Sequence, residues 1–266
     1  MDIHKPKPIR NWREFLKEYA IVVLGVATAL AAEQGVEWLH WQSQVRAARA
    51  VIATEISSNL VGAITMVRTA ECVERRLDQL ALVLDAASQT GRLPPLGNIG
   101  MPWRQIYPTG AWDSVVASQT ATHFPRLQLA ELSASYKIAQ RLEDQGALEL
   151  EAWNSLYTMV GPGRRLDPSS EAKLRDALSQ ARASSRIKQS LGSQLMERVL
   201  NQQLYFGQDD LKAITNAERQ PSTMKIALCL PTGAPPASYG QAYVPPRTAQ
   251  VRAMAKNLPD FSKGAP

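Results

Sequence analysis

The sequence predicts an all-α protein: an N-terminal transmembrane helix running into a long amphipathic helix, an antiparallel helical bundle, and a Pro-rich, irregular C-terminal tail. From Tyr19 to Ala32 the chain reads YAIVVLGVATALAA, without a charge. Beyond it, apolar residues recur at helical spacing through three long segments, and the alternation of half-buried strands is nearly absent. From Pro221 onwards lie eight of the seventeen prolines, and Pro235-Pro236 and Pro245-Pro246 exclude regular helix there. The expected organisation is a basic leader over 1–18, a transmembrane and interfacial helix over 19–41, a helical bundle over 42–220 and a tail over 221–266.

The uncharged run alone covers only about 21 Å of helix, too little for a bilayer core of about 30 Å. Its flanks extend it. Trp12 and Tyr19 on one side, with Phe15 between them, and Trp38 and Trp41 on the other are placed as interfacial anchors, and Tyr19 to Trp38 spans about 28 Å. The implied partner is a lipid bilayer. Glu33 and Gln34 fall near the exit end, where their side chains reach headgroups or water. Lys5, Lys7, Arg10, Arg13 and Lys17 precede the run, which predicts a cytoplasmic N-terminus and an exported main domain, the topology of a bacterial inner-membrane protein facing the periplasm. A cleaved signal peptide is the rival reading, because Ala29-Leu30-Ala31 fits a cleavage site; against it stand the long leader with Glu14 and Glu18 and a helical pattern that runs on past Ala31. A third reading, the buried helix of a soluble protein, leaves the basic and aromatic approach to the run unexplained.

Val45, Ile52, Ile56, Leu60, Ile64, Val67, Val73, Leu77, Leu80 and Leu84 form the stripe of one long helix that continues from the span and stops near Gly91. A short helix follows at about Thr109–Thr120, with Trp112, Val115 and Val116 facing inward, and His123-Phe124-Pro125 breaks it. Leu129 to Val160 carries the next long stripe, as far as Gly161-Pro162-Gly163. Asp167-Pro168 then supplies an N-cap and a first-turn proline for a third long helix reaching about Phe206, with Leu178, Ile187 and Leu195 on its apolar side. Asp209–Ala217 gives a shorter helix. Ile226 to Leu230 is apolar enough to dock on the bundle, which brings Cys229 within reach of Cys72. After export the two form a disulfide, or else they remain unpaired thiols.

Glu14-Phe15-Leu16-Lys17-Glu18-Tyr19, Ile21-Val22-Val23-Leu24-Gly25 and Glu33-Gln34-Gly35-Val36-Glu37-Trp38, together with Ala111-Trp112-Asp113-Ser114 and the segment Leu127 to Tyr136, resemble an uncharacterised family of bacterial single-pass inner-membrane proteins. The resemblance covers about the first 60 residues and 110–142, and lacks the family's Asn-rich exit segment. It implies a topology and carries no activity, substrate or catalytic residue.

The formal charge of +6 is spread over 30 basic and 24 acidic residues, and no aromatic platform interleaves the basic ones, so nucleic acid is not expected as a partner. His4, His40 and His123 share no helix face, and two cysteines cannot complete a zinc knuckle. Glu143, Asp144, Glu149 and Glu151 lie along one helix without the histidines of a bundle metal site. Gly161-Pro162-Gly163-Arg164-Arg165 lacks the Gly-Lys-Ser/Thr and the strand of a phosphate loop and reads as a turn. No catalytic residue, cofactor or metal site is expected. The leader is too short to house a signalling domain, so the expected role is that of a scaffold or accessory protein acting through a protein partner or homo-oligomer. Gly25 and Ala29, four apart in the span, are permissive for self-association. The alternative is an exported enzyme or a small-molecule or lipid-binding protein. Its site would lie in the loop from Leu93 to Pro108, with Trp103, Arg104 and Tyr107 as the candidate residues.

Overall fold

The computed structural model describes residues 12–201, 206, 208–219, 227–230 and 232. The leader up to residue 11 and most of the tail, including both Pro-Pro pairs, lie outside the described residues. Helix α1 runs without interruption from Trp12 to Thr90, so the apolar run and the first amphipathic stripe belong to one helix. The chain divides into two compact units, 1–47 and 48–266.

In the first unit, α1 between Tyr19 and Ala32 carries no charge on any side. Ile21 and Leu24 are each 70% exposed, and Val22, Val23, Val26 and Leu30 are exposed with them. With its flanking residues this part of α1 is long and apolar enough to cross a membrane, and none of the apolar window is buried. Trp12, Phe15 and Tyr19 stack in sequence, with ring centroids 5.6 and 6.2 Å apart.

In the second unit, the remainder of α1 is joined by α2 (Gly110–Ala117), α3 (Arg126–Leu156), α4 (Pro168–Asn201) and α5 (Gln208–Arg219). The periodic stripe of α1 is its buried face: Ile52, Leu60, Ile64, Leu77, Leu80 and Leu84 have no exposed surface. Opposite them lie Leu132, Tyr136, Leu142 and Trp153 of α3 and Leu174, Ala181, Leu191 and Leu195 of α4, all buried. Small residues permit close approach where α4 meets α1, since a Cβ on Gly192 would overlap Met66 and touch Val67.

Contacts fix the directions. Arg175 pairs with Asp85 and Arg182 with Asp78, so α4 runs antiparallel to α1; Lys188 with Glu149 and Arg198 with Glu131 make it antiparallel to α3 as well. Arg49, at the start of the part of α1 in the second unit, bonds Gln128 near the start of α3, and Leu77 and Leu80 share a core cluster with Trp153 and Leu156, so this part of α1 and α3 are parallel. The connector 91–125 makes this possible by carrying the chain back along the bundle. At one end of it β1 (Arg92–Leu93) pairs with β2 (Arg164–Arg165), a two-residue ribbon that the sequence did not announce. At the other end Glu55 on α1 accepts the backbone N–H groups of Ala111 (2.9 Å) and Trp112 (3.4 Å), and so caps α2.

Most local punctuation acts as the sequence implied. Gly91 takes the left-handed conformation (φ 67°) at the end of α1. Asp167 caps α4, its Oδ1 accepting from the amides of Ser169 and Ser170, each at 3.0 Å. The Gly161-Pro162-Gly163 segment is a turn, and Gly163 sits against the carbonyl of Leu93, where a Cβ would lie at 3.1 Å. Two inward assignments are corrected. Val116 is 49% exposed because α2 has a single buried position, Val115, and Ile187 is 42% exposed because Ser184, Ser185 and Lys188 take the inner face of α4 at that level.

Candidate functional site

The loop from Leu93 to Pro108 is tied along the bundle by side chains of α1 and α3. Asn59 donates to the carbonyl of Pro108 at 3.0 Å, and Gln105 lies in the notch left by Gly62, where a Cβ would overlap its side chain. Glu143 accepts from the backbone N–H of Tyr107 at 3.2 Å and from Arg104 at 3.3 Å. The three residues named from sequence are thus brought to one place: Trp103 half-buried, Arg104 exposed, Tyr107 buried.

Beneath them Glu149 and Lys188 form an ion pair at 2.6 Å, with side chains only 4% and 7% exposed. Burial pushes the Glu149 carboxyl upward, and the neighbouring Lys188 ammonium opposes that shift. A cavity of about 20 Å³ adjoins the pair, bordered by Met66, Trp103, Tyr107, Leu142, Glu149 and Lys188. It is large enough for a single water. The Tyr107 hydroxyl is buried and has no hydrogen-bond partner among the described residues; burial, and then the charges of Glu143 and Glu149, raise its pKa. This arrangement orients donors and acceptors over one helix. It holds no nucleophile paired with a base.

A second constellation lies on α1. Cys72 and Cys229 are joined in a disulfide, Cα atoms 4.9 Å apart, and the bond is buried. Its segment is a single 3₁₀ turn, Ala227–Cys229. One helical turn beyond Cys72, Arg76 is 1% exposed. Its guanidinium donates to the carbonyls of Ile99 (2.6 Å), Leu228 (3.3 Å) and Leu230. Burial lowers its pKa. Thr232 then donates to Gln79 at 3.1 Å. Arg76 was missed from sequence, and Glu149, named there only among the carboxylates of one helix, was not paired with Lys188, although both sit on an apolar stripe, Arg76 between Val73 and Leu80, Glu149 between Gly146 and Trp153. A charged residue in such a position is the signal that finds them.

In the first unit, Trp12, Tyr19 and Trp38 are exposed and Trp41 half-buried, its indole donating to Glu37 at 3.4 Å. Among the described residues no group of three or more His, Cys, Asp or Glu side chains is placed to hold a metal ion. The chain matches no protein-family model, no curated protein and no solved structure.

Proposed function

We propose that this chain is a single-pass bacterial inner-membrane protein, N-terminus cytoplasmic, whose extracytoplasmic helical bundle acts as a scaffold or accessory subunit through contacts with a protein partner or a second copy. The observation that carries the reading is the stretch of α1 from Tyr19 to Ala32, apolar on all sides and fully exposed, flanked by exposed Trp12, Tyr19 and Trp38. So much uncovered apolar surface needs a non-aqueous surrounding. The buried Cys72–Cys229 bridge favours an oxidising compartment for the bundle.

The test is the intact mass of protein extracted from membranes by detergent and alkylated without reduction. Full length with neither cysteine alkylated is expected. A chain beginning at Ala32 overturns the anchor, and full length with both thiols alkylated overturns export.

The Glu149–Lys188 pair and the orphan Tyr107 hydroxyl beneath the connector favour a second reading, an exported protein that binds a small molecule or lipid there. A ligand that co-purifies and is lost on Tyr107→Phe substitution supports it. One stoichiometric membrane protein in a pull-down, with no ligand, supports the first.

A further inference from the structure

We infer that the oxidation state of the Cys72–Cys229 bridge sets the position of the middle of the Leu93–Pro108 connector, around Ile99, with Arg76 as the coupling residue. Cys72 and Arg76 are four apart on α1 and so face the same side. The hydrogen bonds of Arg76 go to main-chain carbonyls: one from the connector, at Ile99, and two from the segment that carries Cys229, at Leu228 and Leu230. Arg76 is enclosed by this set, and Ile99, Leu228, Cys72 and Cys229 all belong to one buried cluster. A buried guanidinium without a carboxylate is tolerable only while such carbonyls solvate it.

The segment carrying Cys229 cannot hold itself in place. A single 3₁₀ turn has little intrinsic stability, and among the described residues its attachment comes from the disulfide, the burial of Leu228 and Leu230 and the bonds to Arg76 and Gln79. The disulfide fixes the segment covalently to α1; once it is cut, the segment is joined to α5 through residues 220–226, and its place on α1 rests on the burial of Leu228 and Leu230 and on the hydrogen bonds alone. When the segment leaves, Arg76 loses two of three acceptors. The side chain then moves toward water, and the anchor on Ile99, midway along the connector, goes with it. The ties that remain lie on either side of it: the backbone pair Leu96–Gly161 and the Tyr157 hydroxyl on Asn98 before it, and Glu143 with Arg104 and Tyr107, and Asn59 with Pro108, after it, so the stretch released is 99–103.

The redox step balances with a dithiol as reductant. One of its thiolates attacks the Cys229 sulfur, the less buried of the two, and the Cys72 sulfur leaves and takes up a proton. The second thiolate then displaces Cys229, closing the reductant's own disulfide and giving two thiols on the protein.

Hydrogen exchange followed by mass spectrometry on the full chain in detergent tests this, in the oxidised form and after dithiothreitol, with alkylation of both cysteines confirming reduction. Reduction is expected to speed exchange of the amides of 99–103 by on the order of tenfold, leaving Leu96, which is bonded to Gly161, and the centres of α3 and α4 protected. Arg76→Lys, which keeps the charge but loses the fork, is expected to expose 99–103 in the oxidised form and to abolish its response to reduction. Unchanged exchange of the connector in the reduced wild type overturns the inference. So does protection lost evenly over α3 and α4, and so does a full redox response in Arg76→Lys. If Arg76→Lys does not fold, the wild-type comparison alone decides, read also through the fluorescence of Trp103 against a Trp103→Phe reference.

Discussion

Two stretches of α1 make opposite use of apolar residues. Between Tyr19 and Ala32 they occupy every side of the helix and stay exposed; between Ile52 and Leu84 most keep to one stripe and are buried against α3 and α4, with Leu82 the large exposed exception. The backbone is the same helix in both. What differs is the angular distribution of side chains, which specifies a surrounding medium: a stripe is satisfied by a protein partner on one side, a full circumference only by an apolar medium on all sides. The second stretch also accepts charge where it is solvated or paired, as Arg76 and, across the bundle, Glu149 with Lys188 show. The first has none.

Removing one partner of the buried pair is expected to have the largest effect. Lys188→Met leaves the Glu149 carboxylate buried and unpaired and should cost about 3–5 kcal/mol, whereas the double substitution Lys188→Met with Glu149→Leu should recover most of it. Urea denaturation of the three proteins side by side checks this. A double variant as unstable as the single one would mean that the pair does more than neutralise itself.

The comparison sharpens further with matched truncations in the two stretches of α1. Leu60→Ala should lower the stability of the bundle by about 2–5 kcal/mol, because Leu60 is wholly buried. Leu24→Ala should leave the same denaturation midpoint unmoved. A shift with Leu24→Ala would show that the bundle depends on the exposed stretch.

The smallest effect is expected at the start of α4. Hydrogen bonds from the Ser170 hydroxyl and amide hold the Asp167 carboxyl below the usual carboxylate range. A depressed folded-state pKa means a contribution present above the unfolded value and lost as pH falls through the folded one. Asp167→Ala should therefore lower the melting midpoint slightly at pH 7 and not at all at strongly acidic pH, as thermal melts at both would reveal.

Much of this was legible in the chain because it is local. Gly91, Asp167-Pro168 and the stripes mark helix ends and faces through interactions within a few residues. The Cys72–Cys229 pairing followed from placing one cysteine beside a stripe and the other in an apolar patch. The parallel course of α1 and α3 was not legible, since it depends on how far the connector 91–125 travels, and neither stripe encodes a direction. For the same reason Trp103, Arg104 and Tyr107 could be named as loop residues, while their seat on Glu143 and above Lys188 could not. That seat depends on the register between helices distant in sequence.

The bridge between Cys72 and Cys229 has a further consequence for a cleaved molecule. A protease cut anywhere between residues 73 and 228 would sever the backbone without separating the pieces. The C-terminal fragment would remain covalently attached to the helix that carries the apolar stretch until a reductant released it. Nicked and intact chains would therefore migrate together on a non-reducing gel, and damage in this protein would be recorded long before it was shed.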